Sequence, residues 1–174
     1  SRCFRLAAED RFVSGLLQDY RARGIDVFFQ EITGFSGVPC FKAFVVGKDG
    51  TVFKGAGAHP DGRYALLAAL TEVPYPYPNG PVSAAGPENL PTRILEEIPD
   101  HSAGGAAVDL ARIEHVLMQN GFFPIYAELT RADVAIPVVR ALVPGLEIMA
   151  DFDRFSRVGA RLYDAYRAIT AERP

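Results

Sequence analysis

Gly24-Ile-Asp-Val-Phe-Phe-Gln-Glu31-Ile-Thr33, with Val38-Pro39-Cys-Phe-Lys42-Ala43-Phe-Val45-Val-Gly47 behind it, has a counterpart later in the chain. That counterpart is Gly121-Phe-Phe-Pro-Ile-Tyr-Ala-Glu128-Leu-Thr130, with Ile136-Pro137-Val-Val-Arg140-Ala141-Leu-Val143-Pro-Gly145 behind it. Gly, Glu and Thr keep one spacing in both stretches. So does Pro-x-x-[Lys/Arg]-Ala-x-Val-x-Gly, and the second copy holds one more residue between the two motifs. Self-similarity of this kind speaks to architecture before any single residue does. Two copies are too few for a solenoid, so the reading is one supersecondary unit used twice within a domain. Chance matching of two apolar runs is the other reading, and it must then account for polar and turn residues in the same register.

Each copy is preceded by a helical pattern. In residues 10–23, Phe12, Leu16 and Tyr20 lie four apart, with Val13 and Leu17 beside them, and Gly24 stands where a helix ends. In residues 107–120 the stripe is Leu110, Ile113 and Leu117, and Gly121 ends it. Strands at 27–32 and 125–129 follow, then a short turn, then strands at 41–46 and 138–143. Turns this short favour antiparallel hairpins. Glu31 and Glu128 hold equivalent strand-end positions and are expected to meet Lys42 and Arg140 across the hairpins. The fold class is α+β, with two duplicated α-β-β units and helices packed on a mixed sheet. Residues 1–73 form the first unit with a glycine loop and a helix. Residues 74–91 form a Pro-rich, exposed or semi-extended connector, and 92–174 the second unit with a final helix over 152–170. The whole is one domain with pseudo-twofold halves.

Bulk properties narrow the function. At 49% hydrophobic residues in 174, the chain can bury a sizeable core. A net charge of -3 without clustered basic residues argues against a nucleic-acid partner. Cys3 and Cys40 have no metal or disulfide spacing, and Cys40 reads as a buried, inert thiol. No apolar run reaches the ~18 residues of a membrane span, and no signal-peptide pattern is visible. A cytoplasmic setting is the expectation. The chain opens Ser-Arg-Cys without Met, so a piece of something longer is expected.

Lys48-Asp49-Gly50 reads as a turn, and residues 51–54 as a short strand. Gly55-Ala-Gly57-Ala-His59-Pro60-Asp61-Gly62 reads as a glycine-rich loop, with Asp61 capping the next helix. Glycines let backbone N–H groups approach an anion, and a helix start adds favourable partial charge. Gly55, Gly57 and His59 are therefore the small-molecule candidates. A tight strand-to-helix turn explains the same spacing, because neither a P-loop nor a dinucleotide fingerprint is present. Glu72 ends an otherwise apolar helix, against the helix dipole. A magnesium or nucleotide role explains it, and so does solvent exposure. His115 reads as a surface residue, and no catalytic residue is assigned.

Taken in order, Gly55-Ala-Gly57-Ala-His59, Ala65-Leu-Leu-Ala-Ala-Leu-Thr-Glu72, Ile136-Pro-Val-Val-Arg140 and Pro144-Gly145-Leu146-Glu147 resemble the carboxyl-terminal part of the YcaO-like family. The likeness covers most of residues 12–147. It implies an enzyme class that uses ATP and magnesium to activate a peptide-backbone amide oxygen, forming azolines or thioamides. It implies a peptide or protein substrate, often a partner protein, and homodimers. It carries Glu72 over as a metal and nucleotide residue, with Gly55, Gly57 and His59 beside it. The family helix has Arg, Gln and Arg where this chain has Ala68, Tyr75 and Tyr77, and the family's upstream Ser and paired Glu residues have no match here. The expectation is a fragment or shortened relative of the enzyme. The alternative is a non-catalytic peptide-binding or assembly module on the same fold.

Overall fold

Residues 40–46 alternate strictly. Phe41, Ala43 and Val45 are buried, while Cys40, Lys42, Phe44 and Val46 take the other face. That period of two makes a strand with one side committed to a core. The computed structural model describes residues 3–77, 79–146, 164 and 167. It separates into two compact units, Ser1–Leu110 and Ala111–Pro174. The expected final helix over 152–170 lies outside the described residues.

The first unit holds a five-stranded sheet. Its strands are β1 (Cys3–Ala7), β2 (Val27–Glu31), β3 (Cys40–Val46), β4 (Val52–Ala58) and β5 (Thr92–Ile94), in the order β4-β3-β2-β1-β5. β5 runs parallel to β1 and the other pairings are antiparallel, so the sheet is mixed as expected. Helices α1 (Arg11–Ala22) and α2 (Gly62–Glu72) supply the layer that covers it. Phe4, Leu6, Phe29, Phe41, Ala43 and Val45 meet Val13, Leu17, Tyr20, Ala65, Leu66, Ala69 and Leu70 in one core cluster. Asp10 caps α1 by accepting from the Phe12 and Val13 amides, at 3.0 and 2.9 Å. The buried stripe of α1 is Val13, Leu17 and Tyr20, one step round from the expected one. Phe12 is 80% exposed because its place on the helix turns it away from the Val13, Leu17 and Tyr20 face.

Two expectations are corrected here. The strand after the Lys48–Gly50 turn does not stop at Lys54. β4 runs through both glycines to Ala58, so the first half of the glycine-rich loop is strand. Glu31 does not pair with Lys42. Glu31 lies opposite Phe41 while Lys42 lies opposite Gln30, so the two side chains leave opposite faces of the sheet. Glu31 instead pairs with Arg93 of β5 at 3.0 Å, and the Arg93 guanidinium covers the Phe4 ring. The Pro-rich stretch is exposed over much of its length, and it is tied back onto the first unit. Ser83 and Ala84 donate to the carbonyls of Gly24 and Val46 at 3.1 and 2.7 Å. Tyr75 is buried edge-on to Phe53, its hydroxyl donating to the Pro81 carbonyl, and Tyr77 stacks on Tyr20 at 4.1 Å. Their rings are spent on the protein's own core.

The second unit is built on the end of α3 (Ala106–Gln119) and a hairpin of β6 (Ile125–Glu128) with β7 (Val139–Leu142). The order α-β-β therefore occurs twice, with the same pairings at corresponding positions. Phe29 faces Ala43 as Tyr126 faces Ala141, and Glu31 faces Phe41 as Glu128 faces Val139. The Thr33 hydroxyl accepts from the Cys40 amide at 3.2 Å, and that of Thr130 accepts from the Val138 amide at 2.9 Å. Gly24 and Gly121 both take positive φ, +69° and +78°. Arg140 lies opposite Ala127, so the expected Glu128–Arg140 pair is absent for the same reason of register. Glu128 instead accepts from the amide and hydroxyl of Thr130.

Candidate functional site

The candidate residues lie where β4 passes under α2. α2 begins at Asp61, which is 4% exposed and accepts from the Arg63 amide at 2.9 Å. The same carboxylate takes the Arg63 guanidinium at 2.6 Å, and Asp100 lies 3.5 Å from it. The Arg63 hydrogen bond holds the Asp61 carboxyl below its ordinary range and outweighs the opposing effect of burial. The helix start is thus pinned by a charged cluster that spacing alone did not reveal. Its visible signal is the run Asp61-Gly62-Arg63 behind a proline.

Gly55 and Gly57 are explained by packing. A Cβ at Gly55 would overlap the Ala69 carbonyl of α2, and one at Gly57 the Ala65 carbonyl. The helix backbone rests directly on the strand backbone because neither residue has a side chain. Their own backbone groups face β3. Gly47 N donates to Thr51 O at 2.7 Å and His59 N to Pro39 O at 3.2 Å. Those bonds put the odd-numbered residues of β4 into the ladder with β3. The Gly55 and Gly57 amides therefore do not cradle an anion.

Glu72 and His59 stand at the two ends of this contact. Glu72 Oε2 accepts from the Ala56 amide at 2.7 Å, which offsets its poor placement at the helix C-terminus. The residue is exposed, and the carboxylate has capacity for a further donor or a cation. His59 Nδ1 accepts from the Asp61 amide at 3.0 Å, and its ring lies edge-on to Tyr64. A recess of about 360 Å³ opens between Ala58 and His59 on one side and Tyr64, Leu67, Ala68 and Thr71 on the other. A second hollow of about 570 Å³ lies across Tyr64 and Leu67, and Phe12, Arg63 and Glu96 help to line it. Burial raises the pKa of the Cys40 thiol, in keeping with an inert residue. His115 is exposed.

Among the described residues, no three His, Cys, Asp or Glu side chains come together in a way that could hold a metal ion. Glu72 fits the role of one oxygen ligand. With the two glycines committed to packing, the described residues do not by themselves fit a triphosphate and its magnesium. No helix among them is long and apolar enough to cross a membrane.

Residues 3–75 match the family model described as YcaO cyclodehydratase, ATP- and Mg2+-binding. The stretch containing β4, His59 and Glu72 is therefore YcaO-like, as the resemblance implied. An uncharacterized protein of Methanothermobacter thermautotrophicus is 31% identical over 182 residues, which cover 86% of this chain and 46% of that one. Two solved structures share the fold. One, a heterocyclase in complex with substrate and cofactor, has a TM-score of 0.68 at 22% identity and is matched over 97% of this chain and 26% of its own. The heterocyclase TruD has a TM-score of 0.64 at 24% identity, over 97% and 27%. The chain thus spans about half the length of the curated relative and about a quarter of each structure.

Proposed function

We propose that this chain takes part in ATP- and magnesium-dependent modification of peptide-backbone amides, the cyclodehydratase class. It contributes Glu72 and the surface around it rather than a complete nucleotide site. The observation that carries this reading is the YcaO match over residues 3–75, which ends just beyond an exposed Glu72 held at the edge of β4. An amide oxygen is a poor nucleophile, so activating it needs a positioned phosphoryl donor and charge neutralisation by a metal. Glu72 supplies one oxygen towards that metal, and the remaining acidic ligands come from outside the described residues. The substrate is a peptide or protein, the product an azoline or a thioamide, and self-association accompanies the activity.

Calorimetric titration of magnesium-ATP tests the division of labour. The 174-residue chain is expected to bind it no tighter than millimolar. Micromolar binding that Glu72→Gln abolishes, without loss of folding, would mean that the chain holds a complete site. A longer relative carrying the equivalent Glu is expected to remove water from Cys-, Ser- or Thr-containing peptides only when ATP and magnesium are present. A relative that does so without ATP would end the proposal.

A second reading is a peptide-binding module without catalysis. The recess between β4 and α2 favours it, because that shape needs no nucleotide to be useful.

A further inference from the structure

Four places in the chain put glycine directly behind asparagine or aspartate: Asp49-Gly50, Asp61-Gly62, Asn79-Gly80 and Asn120-Gly121. At such a step the glycine nitrogen can attack the side-chain carbonyl carbon in front of it, because glycine has no side chain to shield its own amide. The attack needs two freedoms. The glycine N–H must be clear of an acceptor, and the acyl group must be able to swing over it. Three of the steps have neither. The Gly50 amide donates to the Gly47 carbonyl at 2.9 Å, and Asp49 accepts from the Thr51 amide and hydroxyl at 2.9 and 2.8 Å. The Gly62 amide donates to the Pro99 carbonyl at 3.1 Å, and Arg63 holds the buried Asp61 carboxylate. The Gly121 amide donates to the Met118 carbonyl at 3.0 Å, and the Asn120 carboxamide donates back to the Val116 carbonyl at 2.8 Å. Asn79-Gly80 differs. Asn79 is exposed, and among the described residues nothing bonds to its carboxamide or to the Gly80 N–H. Glycine is also required there, since a Cβ at Gly80 would stand 2.7 Å from the Tyr75 ring. Packing thus keeps the residue that makes the step reactive.

We propose that Asn79-Gly80 is a site of self-modification, and that the fold confines the reaction to it. The Gly80 nitrogen gives up its proton to a base in solution and bonds to Asn79 Cγ. The Cγ–Nδ2 bond breaks, ammonia leaves, and a five-membered succinimide closes. Water then adds to either ring carbonyl and opens the ring to aspartate or isoaspartate. No oxidant or cofactor takes part. Either product adds a negative charge, and isoaspartate also adds a methylene to the main chain between Tyr75 and Pro81. The Tyr75 hydroxyl donates to the Pro81 carbonyl, and its ring packs against Phe53 of β4. A lengthened chain loosens that tie, and with it the anchorage of the Pro-rich stretch. Nothing in this depends on the nucleotide site.

The test is peptide mapping by mass spectrometry. The whole chain is kept folded in mildly alkaline heavy-oxygen water, beside a sample kept in guanidinium chloride. In the folded sample, conversion at Asn79 is expected to outrun that at Asn120 about tenfold, since the Asn120 step must first break both of its hydrogen bonds. In denaturant the two rates are expected to converge. Label uptake at Asp49 and Asp61 in the folded sample is expected to stay below that at Asn79. Asn79→Gln, with its longer side chain, is expected to stop conversion at that position and leave Asn120 as it was. The proposal is overturned by an Asn79 that stays intact in the folded chain, by equal rates at Asn79 and Asn120 there, or by a difference that persists in denaturant. The isoaspartate fraction is expected to melt below Asn79→Asp, which carries the charge on an unlengthened chain. Equal melting overturns the consequence drawn for Tyr75.

Discussion

The two stretches that run helix, strand, strand pair in a matching register and differ in what surrounds them. In both, a left-handed glycine ends the helix, a threonine hydroxyl ties the turn, and the hairpin pairs in one register. In the first, β1 and β4 flank the hairpin and two helices cover it, and Phe29 and Ala43 are fully buried. In the second, the corresponding Tyr126 is 43% exposed, and among the described residues the sheet has two strands. Local chemistry therefore sets the backbone path, while burial depends on neighbours that the motif does not encode. A two-stranded ribbon rarely stands alone, whereas a flanked and covered one does.

The largest expected contrast lies at that shared position. Phe29→Ala is expected to cost about 3–5 kcal/mol, because it empties a closed core site. Tyr126→Ala is expected to cost far less, losing mainly a surface hydrogen bond to Glu114. Urea denaturation of both variants checks this, and equal losses would break the contrast in burial.

A smaller effect separates the residues two positions past each helix-ending glycine. In the first segment this is Asp26, which pairs with Arg5 and accepts from the Gly86 amide at 2.7 Å. In the second it is Phe123, 66% exposed. Burial opposes the charge on Asp26, but the bonds from Arg5 and Gly86 outweigh it and lower its pKa. A lowered folded pKa means the stabilisation is present in full above the unfolded value and is lost as pH falls through the folded one. Asp26→Asn is expected to cost about 1–3 kcal/mol near neutrality, at the lower end because the pair is partly exposed. The gap between variant and wild type should close as pH falls through the acid range. A gap independent of pH would show that the carboxylate's charge contributes nothing.

The smallest contrast tests the shared skeleton itself. Gly37 and Ala135 each stand two residues before the motif proline, at φ +66° and +54°. A Cβ at Gly37 would meet nothing within 4 Å, so Gly37→Ala should cost about 1 kcal/mol from conformation alone. Ala135→Gly should return a fraction of that, since glycine gives back some of the gain as chain entropy. Thermal melts that shift in the same direction for both would show that the two turns are not equivalent.

Much of this was legible before the structure. Gly24 and Gly121 marked helix ends, Asp61 a helix start, and residues 41–46 a strand behind a short turn. The errors share a cause. Gly-Ala-Gly-Ala has poor strand propensity, and only the helix resting on it explains why glycine is kept there. β1 and β5 are short and carry no turn signals of their own, and nothing local announces that Thr92–Ile94 pairs with Cys3–Ala7. Nothing in the prolines of 74–91 announces that Ser83, Ala84 and Gly86 spend their donors on the first unit. Glu31 was assigned the wrong partner by spacing, where one step of register decides the face. At the candidate site, the sequence offers Glu72 and His59 as candidates, and nothing in it announces the hydrogen bond that puts Glu72 at the edge of β4.

The contact of α2 with Gly55 and Gly57 has a mechanical consequence. Where two backbones touch with no side chain between them, there is no rotamer to absorb a displacement, and strand and helix move as one piece. The main-chain positions of Glu72 at one end of that piece and His59 at the other are tied to that contact. A single methyl group added at Gly57 would act as a shim. It would lift α2 from the strand, widen the gap in which Leu67 and Ala68 stand, and draw the Glu72 carboxylate off the Ala56 amide without touching either residue.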